Sequence, residues 1–171
     1  MILDPTLFSI TQSKEMGLWP PSDTTSHGII PYMKRMKSQE LIVLDVGIMK
    51  GENSYHLIES VPNIKTVYGI ISYEDGFAHD GYEDLVKRNL TGNEKFSLDY
   101  DDREVDVVCF HHNANPNVLS KYYEKLKSNG IFSGSEHSLT KVKEFLSKFR
   151  RGNKIGTPIN VSNGCWFWVK R

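Results

Sequence analysis

A chain of 171 residues with 39% apolar and 25% charged side chains is enough for one globular domain with a sizeable core. Its 21 Lys and Arg balance its 21 Asp and Glu, so no net charge draws it toward nucleic acid or an anionic membrane. No apolar run approaches the ~20 residues of a membrane span. The start of the chain has no basic stretch leading into an apolar one, so no secretion signal is expected. Cys109 and Cys165 both sit in apolar runs, which reads as buried free thiols in a reducing compartment and gives a cytoplasmic expectation.

Residues 1–21 are broken by Pro5, Gly17 and Pro20-Pro21. Leu7, Phe8, Ile10, Leu18 and Trp19 are nevertheless too apolar for a free tail. An arm packed on the domain is expected, with a lid or a homodimer contact as the alternative. The domain itself is expected over 22–171. Ser22 or Asp23 can cap a helix over 24–37, with His27 as a surface or packing residue and Pro31 best placed in a first turn.

Leu41 to Val46 is a short apolar run holding one acid, as suits a strand buried on both faces. Gly47 and Gly51 mark a tight turn or a close approach to the backbone. Asn53 and Ser54 then line the first turn of a helix over 52–60, where free N–H groups gather, and Pro62 ends it.

Further on, the pattern predicts a strand over 65–71, a helix over 80–89 and a short strand over 96–98. An acidic turn with Asp99, Asp101 and Asp102 follows. A fourth strand covers 105–110, and a helix over 117–127 carries Leu119, Tyr122, Tyr123 and Leu126 on one side. Asn129-Gly130 ends that helix before a strand over 131–133. The last helix, over 140–149, has an apolar stripe of Val142, Phe145, Leu146 and Phe149. Runs over 154–161 and 165–170 form a hairpin about Asn163-Gly164. The expected fold class is therefore α/β: a Rossmann-like, doubly wound, mostly parallel seven-stranded sheet with an antiparallel C-terminal hairpin at one edge.

The turn from Asp45 to Ser54 has neither the Gly-Lys-Ser/Thr of a phosphate loop nor the Gly-x-Gly-x-x-Gly of a dinucleotide site. It resembles the first motif of class I S-adenosylmethionine-dependent methyltransferases. The resemblance is closest to the branch reading acid-x-Gly-x-x-x-Gly-x-Ser, with Trp19 and the Ser22 to Gly28 segment before it. Leu126 to Gly134 and Trp166-Phe167-Trp168 resemble the family's later strands.

That resemblance implies S-adenosylmethionine as cofactor. Asp45 would meet its amino-acid portion, Gly47 would let the adenosine side lie on the backbone, and Gly51, Asn53 and Ser54 would complete the turn. The family's ribose-binding acid falls on Ile71, with Ser72, Glu74 or Asp75 as stand-ins. Asp99 or Asp101 could meet the adenine amino group, or the acidic turn could simply be solvated.

The acid after the family's fourth strand falls on His111, followed by His112, and its downstream His falls on Ala114. Its Asp pair after the fifth strand appears as Ser135-Glu136, with His137 next. His111, His112, Glu136 and His137 could thus hold a divalent metal, with imidazole favouring Zn, Ni, Cu or Fe over Mg. His111 and Glu136 are also candidate general bases. The plain alternative is two solvent-facing histidines and a helix-capping Ser-Glu. No basic groove with interleaved aromatics is visible, so the expected acceptor is a small molecule and not nucleic acid. Because Ile71 and His111 stand at acid positions, a catalytically reduced copy of the fold acting as a binding or interaction module is the alternative.

Overall fold

The centre of the molecule is β1 (Leu41–Val46), whose Leu41, Val43, Leu44, Asp45 and Val46 are buried between two layers of helices. The computed structural model describes residues 7–21, 26–36, 40–71, 81–111 and 116–171. In chain order the other elements are α1 (Ile10–Glu15), α2 (Ser26–Met33), α3 (Glu52–Ser60), β2 (Ile64–Ile70), α4 (Tyr82–Leu90) and β3 (Phe96–Ser97). These are followed by β4 (Val105–Phe110), α5 (Pro116–Tyr123), β5 (Leu126–Gly134), α6 (Thr140–Gly152), β6 (Asn160–Ser162) and β7 (Cys165–Val169).

The strands form one seven-stranded sheet in the order β3-β2-β1-β4-β5-β7-β6. β1 pairs parallel with both β2 and β4, and β4 pairs parallel with β5. β7 is antiparallel to β5 and to β6, so the expected hairpin closes one edge. One face buries Ile29 and Met33 of α2 and Leu57 of α3 against Val43, Val67, Val107 and Phe167. The other buries Leu119 of α5 and Val142, Leu146 and Phe149 of α6 against Leu44, Val108, Phe132, Trp166 and Trp168. Phe132 is the hub of this face, with the rings of Phe110, Tyr123, Phe149, Trp166 and Trp168 at centroid distances of 5.0 to 6.0 Å.

Three local expectations are corrected. Residues 10–15 are helical, not irregular, because Ser9 and Gln12 form a reciprocal capping box: the Gln12 N–H donates to Ser9 Oγ, and the Ser9 N–H to Gln12 Oε1. Leu126 has helical spacing from Leu119 and Tyr122, yet α5 stops at Tyr123 and Leu126 begins β5, where it reaches the same core at 2% exposure. β6 is only three residues long, because Ile155 N–H bonds back to the end of α6 at Arg150 O and Pro158 has no N–H for a ladder.

Residues 7–21 pack against α3 and α4. Ile10 N–H donates to Asn89 Oδ1, Lys14 bonds Glu59 at 2.9 Å, and the Trp19 ring meets Tyr55 edge-on. Cys109 and Cys165 are buried, and neither is in a disulfide. Among the described residues no helix is long and apolar enough to cross a membrane.

Candidate active site

The chain reverses its direction of winding at β1. It passes from β1 to β2 and β3 on one side, then crosses to β4 on the other. In such sheets the crevice outside the strands' carboxyl ends, at the point of reversal, is where ligands bind. Here that crevice lies between the ends of β1 and β4.

Asp45 is the next-to-last residue of β1, in register with Cys109 of β4 and Gly69 of β2, and is fully buried. A carboxylate out of water is costly unless its oxygens are hydrogen-bonded. Both are. Ser54 Oγ, from the first turns of α3, donates to Oδ2 at 2.6 Å, and His111 Nε2 lies 2.7 Å from Oδ1. His111 follows β4 directly, and its N–H continues the ladder by donating to Val46 O at 3.0 Å. Its side chain retains 10% exposure.

The turn between β1 and α3 makes this geometry available. Gly47 has φ 75°, its N–H bonds Ile70 O, and a Cβ there would lie 2.7 Å from His111 O. Gly51 has φ 85°, and its Cβ would lie 2.5 Å from Leu90 Cδ1 of α4. Each glycine combines a left-handed backbone with a close approach, so no other residue fits without movement.

Two cavities open at this end of the sheet, and His111 lines the first of them. One, of about 420 Å³, is lined by His111, Asn53, Glu52, Ser135, Glu136 and Asn163 among others. Met49, Glu136 and Asn163 on its wall have φ of 52°, 62° and 50°. Backbone strain of this kind gathers at ligand sites. The second, of about 460 Å³, opens beside the end of β2 and is lined by Ile70, Ile71, Leu98, Tyr100, Asp102 and Tyr122, with Gly69 and Lys121.

No family model and no curated protein matches the chain, but solved structures do. A precorrin-6y C5,15-methyltransferase from Geobacter metallireducens GS-15 superposes with a TM-score of 0.62 at 13% identity, covering 84% of this chain and 87% of that one. The ribosomal protein L11 methylase from Lactobacillus delbrueckii subsp. bulgaricus gives 0.60 at 14% identity, over 86% and 79%. A structure of the fibrillarin/Nop5p complex gives 0.58 at 15% identity, over 90% and 83%. The chain has the class I methyltransferase fold.

Within the methyltransferase fold, the structure brings Asp45, Ser54 and His111 into one hydrogen-bonded unit. It sets Asn53 and Glu136 on the cavity beside them, and gives Gly47 and Gly51 steric roles in the turn. Ile71 lines the second cavity. Asp101 does not line either of these cavities. Arg103 donates to both its oxygens, from Nε at 2.7 Å and Nη2 at 2.6 Å, and holds its carboxyl down at about 2. Its neighbour Asp102, at φ 62°, takes the wall instead.

His137 donates its backbone N–H to Gly164 O, lies off the cavity wall, and burial lowers its imidazole pKa. Among the described residues no group of three or more His, Cys, Asp or Glu side chains could hold a metal ion. His112, Ser72, Glu74 and Asp75 lie outside the described residues.

Tyr100, Asp102, Lys121 and Tyr122 line the second cavity without a motif in the sequence that marks them as wall residues. Burial pushes the Tyr100 hydroxyl up to about 12, and it donates to Arg103 O at 2.7 Å. The acidic turn was a visible signal, but which of its acids faces inward depends on the turn's backbone.

Proposed function

We infer that the chain is an S-adenosylmethionine-dependent methyltransferase acting on a small-molecule acceptor. His111 on a cavity wall at the strand reversal, bonded to the buried Asp45, carries this reading. The residues present fit the cofactor in most of its parts. Ile71, Leu98 and Tyr122 offer apolar and aromatic surface to an adenine, and the Asp102 carboxylate offers an acceptor to its amino group. The 420 Å³ cavity on the other side of Asp45 is the space for an acceptor.

When bound, S-adenosylmethionine supplies a methyl group on a sulfonium, open to in-line displacement. The chain's own residues handle the proton. With Nε2–H donating to Asp45, His111 leaves Nδ1 as the basic nitrogen for an acceptor O–H or N–H. Asp45 fixes the ring and stabilises the imidazolium that results, and Ser54 fixes Asp45. Positioning of this kind supplies much of the acceleration of a bimolecular transfer.

Calorimetric titration with S-adenosylhomocysteine, repeated with Asp45→Ala, tests the reading. Micromolar binding that the variant loses supports it. Failure to bind at millimolar ligand removes it.

A second reading rests on Ile71. A methyl-bearing side chain at the ribose position offers no acceptor to the two hydroxyls, which favours a catalytically reduced copy of the fold serving as a binding module. This reading takes first place if the titration is silent.

A further inference from the structure

The chain's zero net charge conceals a segregation. Eleven of its 21 Lys and Arg fall in residues 121–171 against three of its 21 Asp and Glu, so this stretch carries +8 and residues 1–120 carry −8. Part of the positive charge is concentrated where α6 ends. Arg150 and Arg151 close the helix and Lys154 follows at φ 54°. Lys154, Lys170 and Arg171 line a cavity of about 440 Å³ with Tyr123, Asn153 and Thr157.

Arg151, Lys154 and Arg171 are exposed, and none of Arg150, Arg151, Lys154, Lys170 and Arg171 pairs with a carboxylate among the described residues. Arg150 Nη1 is buried without a hydrogen-bond partner while its guanidinium lies over Trp168. The helix dipole accounts for cations in the last turn of α6. It does not account for Lys154 and Arg171, while Lys170 Nζ donates to Tyr123 O at 2.9 Å and Leu126 O at 2.7 Å. Exposed Lys141 and Lys148 extend the positive surface back along α6, with Glu144 the one acid among them. From Lys141 to Arg151 the cations span about 15 Å of helix.

We propose that this end of α6, with the residues that follow β7, binds the phosphate backbone of a nucleic acid. A line of cations about 15 Å long matches several consecutive phosphates of a strand that advances ~3.4 Å per nucleotide, and exceeds what one free phosphate needs. The Tyr123 ring is packed against Phe132, Phe149 and Trp168 and lies under Lys170, so Tyr123 offers no face for base stacking. Recognition is therefore electrostatic and independent of sequence. The 420 Å³ cavity adjoins Ser135 and Ser138, before α6 starts; the densest part of the positive surface lies where α6 ends, about 20 Å of helix away, and the line of cations runs back from there toward Lys141. The nucleic acid is held by its phosphates along α6, with the strongest contacts at the end of the helix away from His111.

The test is fluorescence anisotropy with a labelled single-stranded RNA of about 20 nucleotides, read from about 50 to about 200 mM salt. Contact with about four phosphates predicts a loss of about 50-fold in affinity across that range. The variant Arg151→Glu/Lys154→Glu/Arg171→Glu, melting like the parent, should bind about tenfold or more weakly. Arg151→Glu alone, which alters one exposed side chain, should cost about threefold. Absence of RNA binding at the lowest salt overturns the proposal, as does unchanged binding by both variants. Equal competition by ATP and pyrophosphate would reassign the site to small anions. Preference for phosphatidylserine vesicles over RNA would reassign it to a membrane.

Discussion

The carbonyl oxygen of His111 occupies the space that a side chain on Gly47 would need, 2.7 Å from an ideal Cβ. The turn after β1 and the end of β4 are thus locked together through backbone, and the position of the candidate base depends on a residue with no side chain.

Gly47→Ala should therefore destabilise the protein by about 2–4 kcal/mol. A left-handed non-glycine residue costs about 1–2 kcal/mol and local overpacking about as much again. Urea denaturation would read the loss as a lower midpoint at unchanged slope. A shift below about 0.5 kcal/mol would show that the two backbones separate freely.

Asp45→Asn keeps the shape of the buried side chain but cannot accept at both ends. With its oxygen toward Ser54, its amide must donate to His111 Nε2, which moves the imidazole proton to Nδ1, so that Nδ1 no longer serves as a base. Nitrogen-detected NMR of the His111 ring should show an Nε2–H tautomer in the parent and Nδ1–H in the variant, and a shared tautomer would refute the pairing. Asp45→Ala leaves two buried groups unpartnered, with an expected loss of about 2–5 kcal/mol.

Restoring a carboxylate beside the second cavity should strengthen ligand binding if the nucleoside lies there. Ile71→Asp is expected to raise affinity for S-adenosylhomocysteine by about tenfold or more, each hydrogen bond to a charged acceptor contributing about 1.5–3 kcal/mol. Calorimetry comparing the two proteins decides it. Weaker binding by the variant would place the ribose elsewhere.

Alkaline pH should weaken the fold through Cys165 and Tyr100. Burial pushes both up to about 12, from ordinary values of 9.0 and 10.0. Above pH 9 for the thiol and pH 10 for the phenol the unfolded chain releases its proton while the folded chain retains it, so stability is intact below pH 9 and falls as pH rises toward 12. Melting temperatures at pH 8, 9.5 and 10.5 should decline about twofold less steeply in Cys165→Ala than in the parent, whatever the variant's stability at pH 8. Identical slopes would show that the thiol does not contribute.

Several elements could be read from local pattern alone. The helix over 52–60 and the strand over 105–110 have the residues that pattern assigned to them, because apolar period, Pro62 and the runs' limits are local facts. Ser9 and Gln12 were equally local, and were obscured by Pro5 and Gly17 on either side. Leu126 was ambiguous for a physical reason: helical spacing and the start of a buried strand bring it to the same core.

The sequence by itself determined the alternation of strands and helices, the glycine turn after β1 and the identity of the polar residues able to work there, since periodicity and turn chemistry act over a few residues. Only the tertiary structure decided what those residues touch. That His111 answers one oxygen of Asp45 and Ser54 the other depends on the register of β4 against β1 and the angle of α3. That Asp102 and not Asp101 faces the cavity depends on one backbone torsion in the turn. The balanced charge count likewise held no information on where the cations gather, because net charge sums over a surface that folding alone lays out.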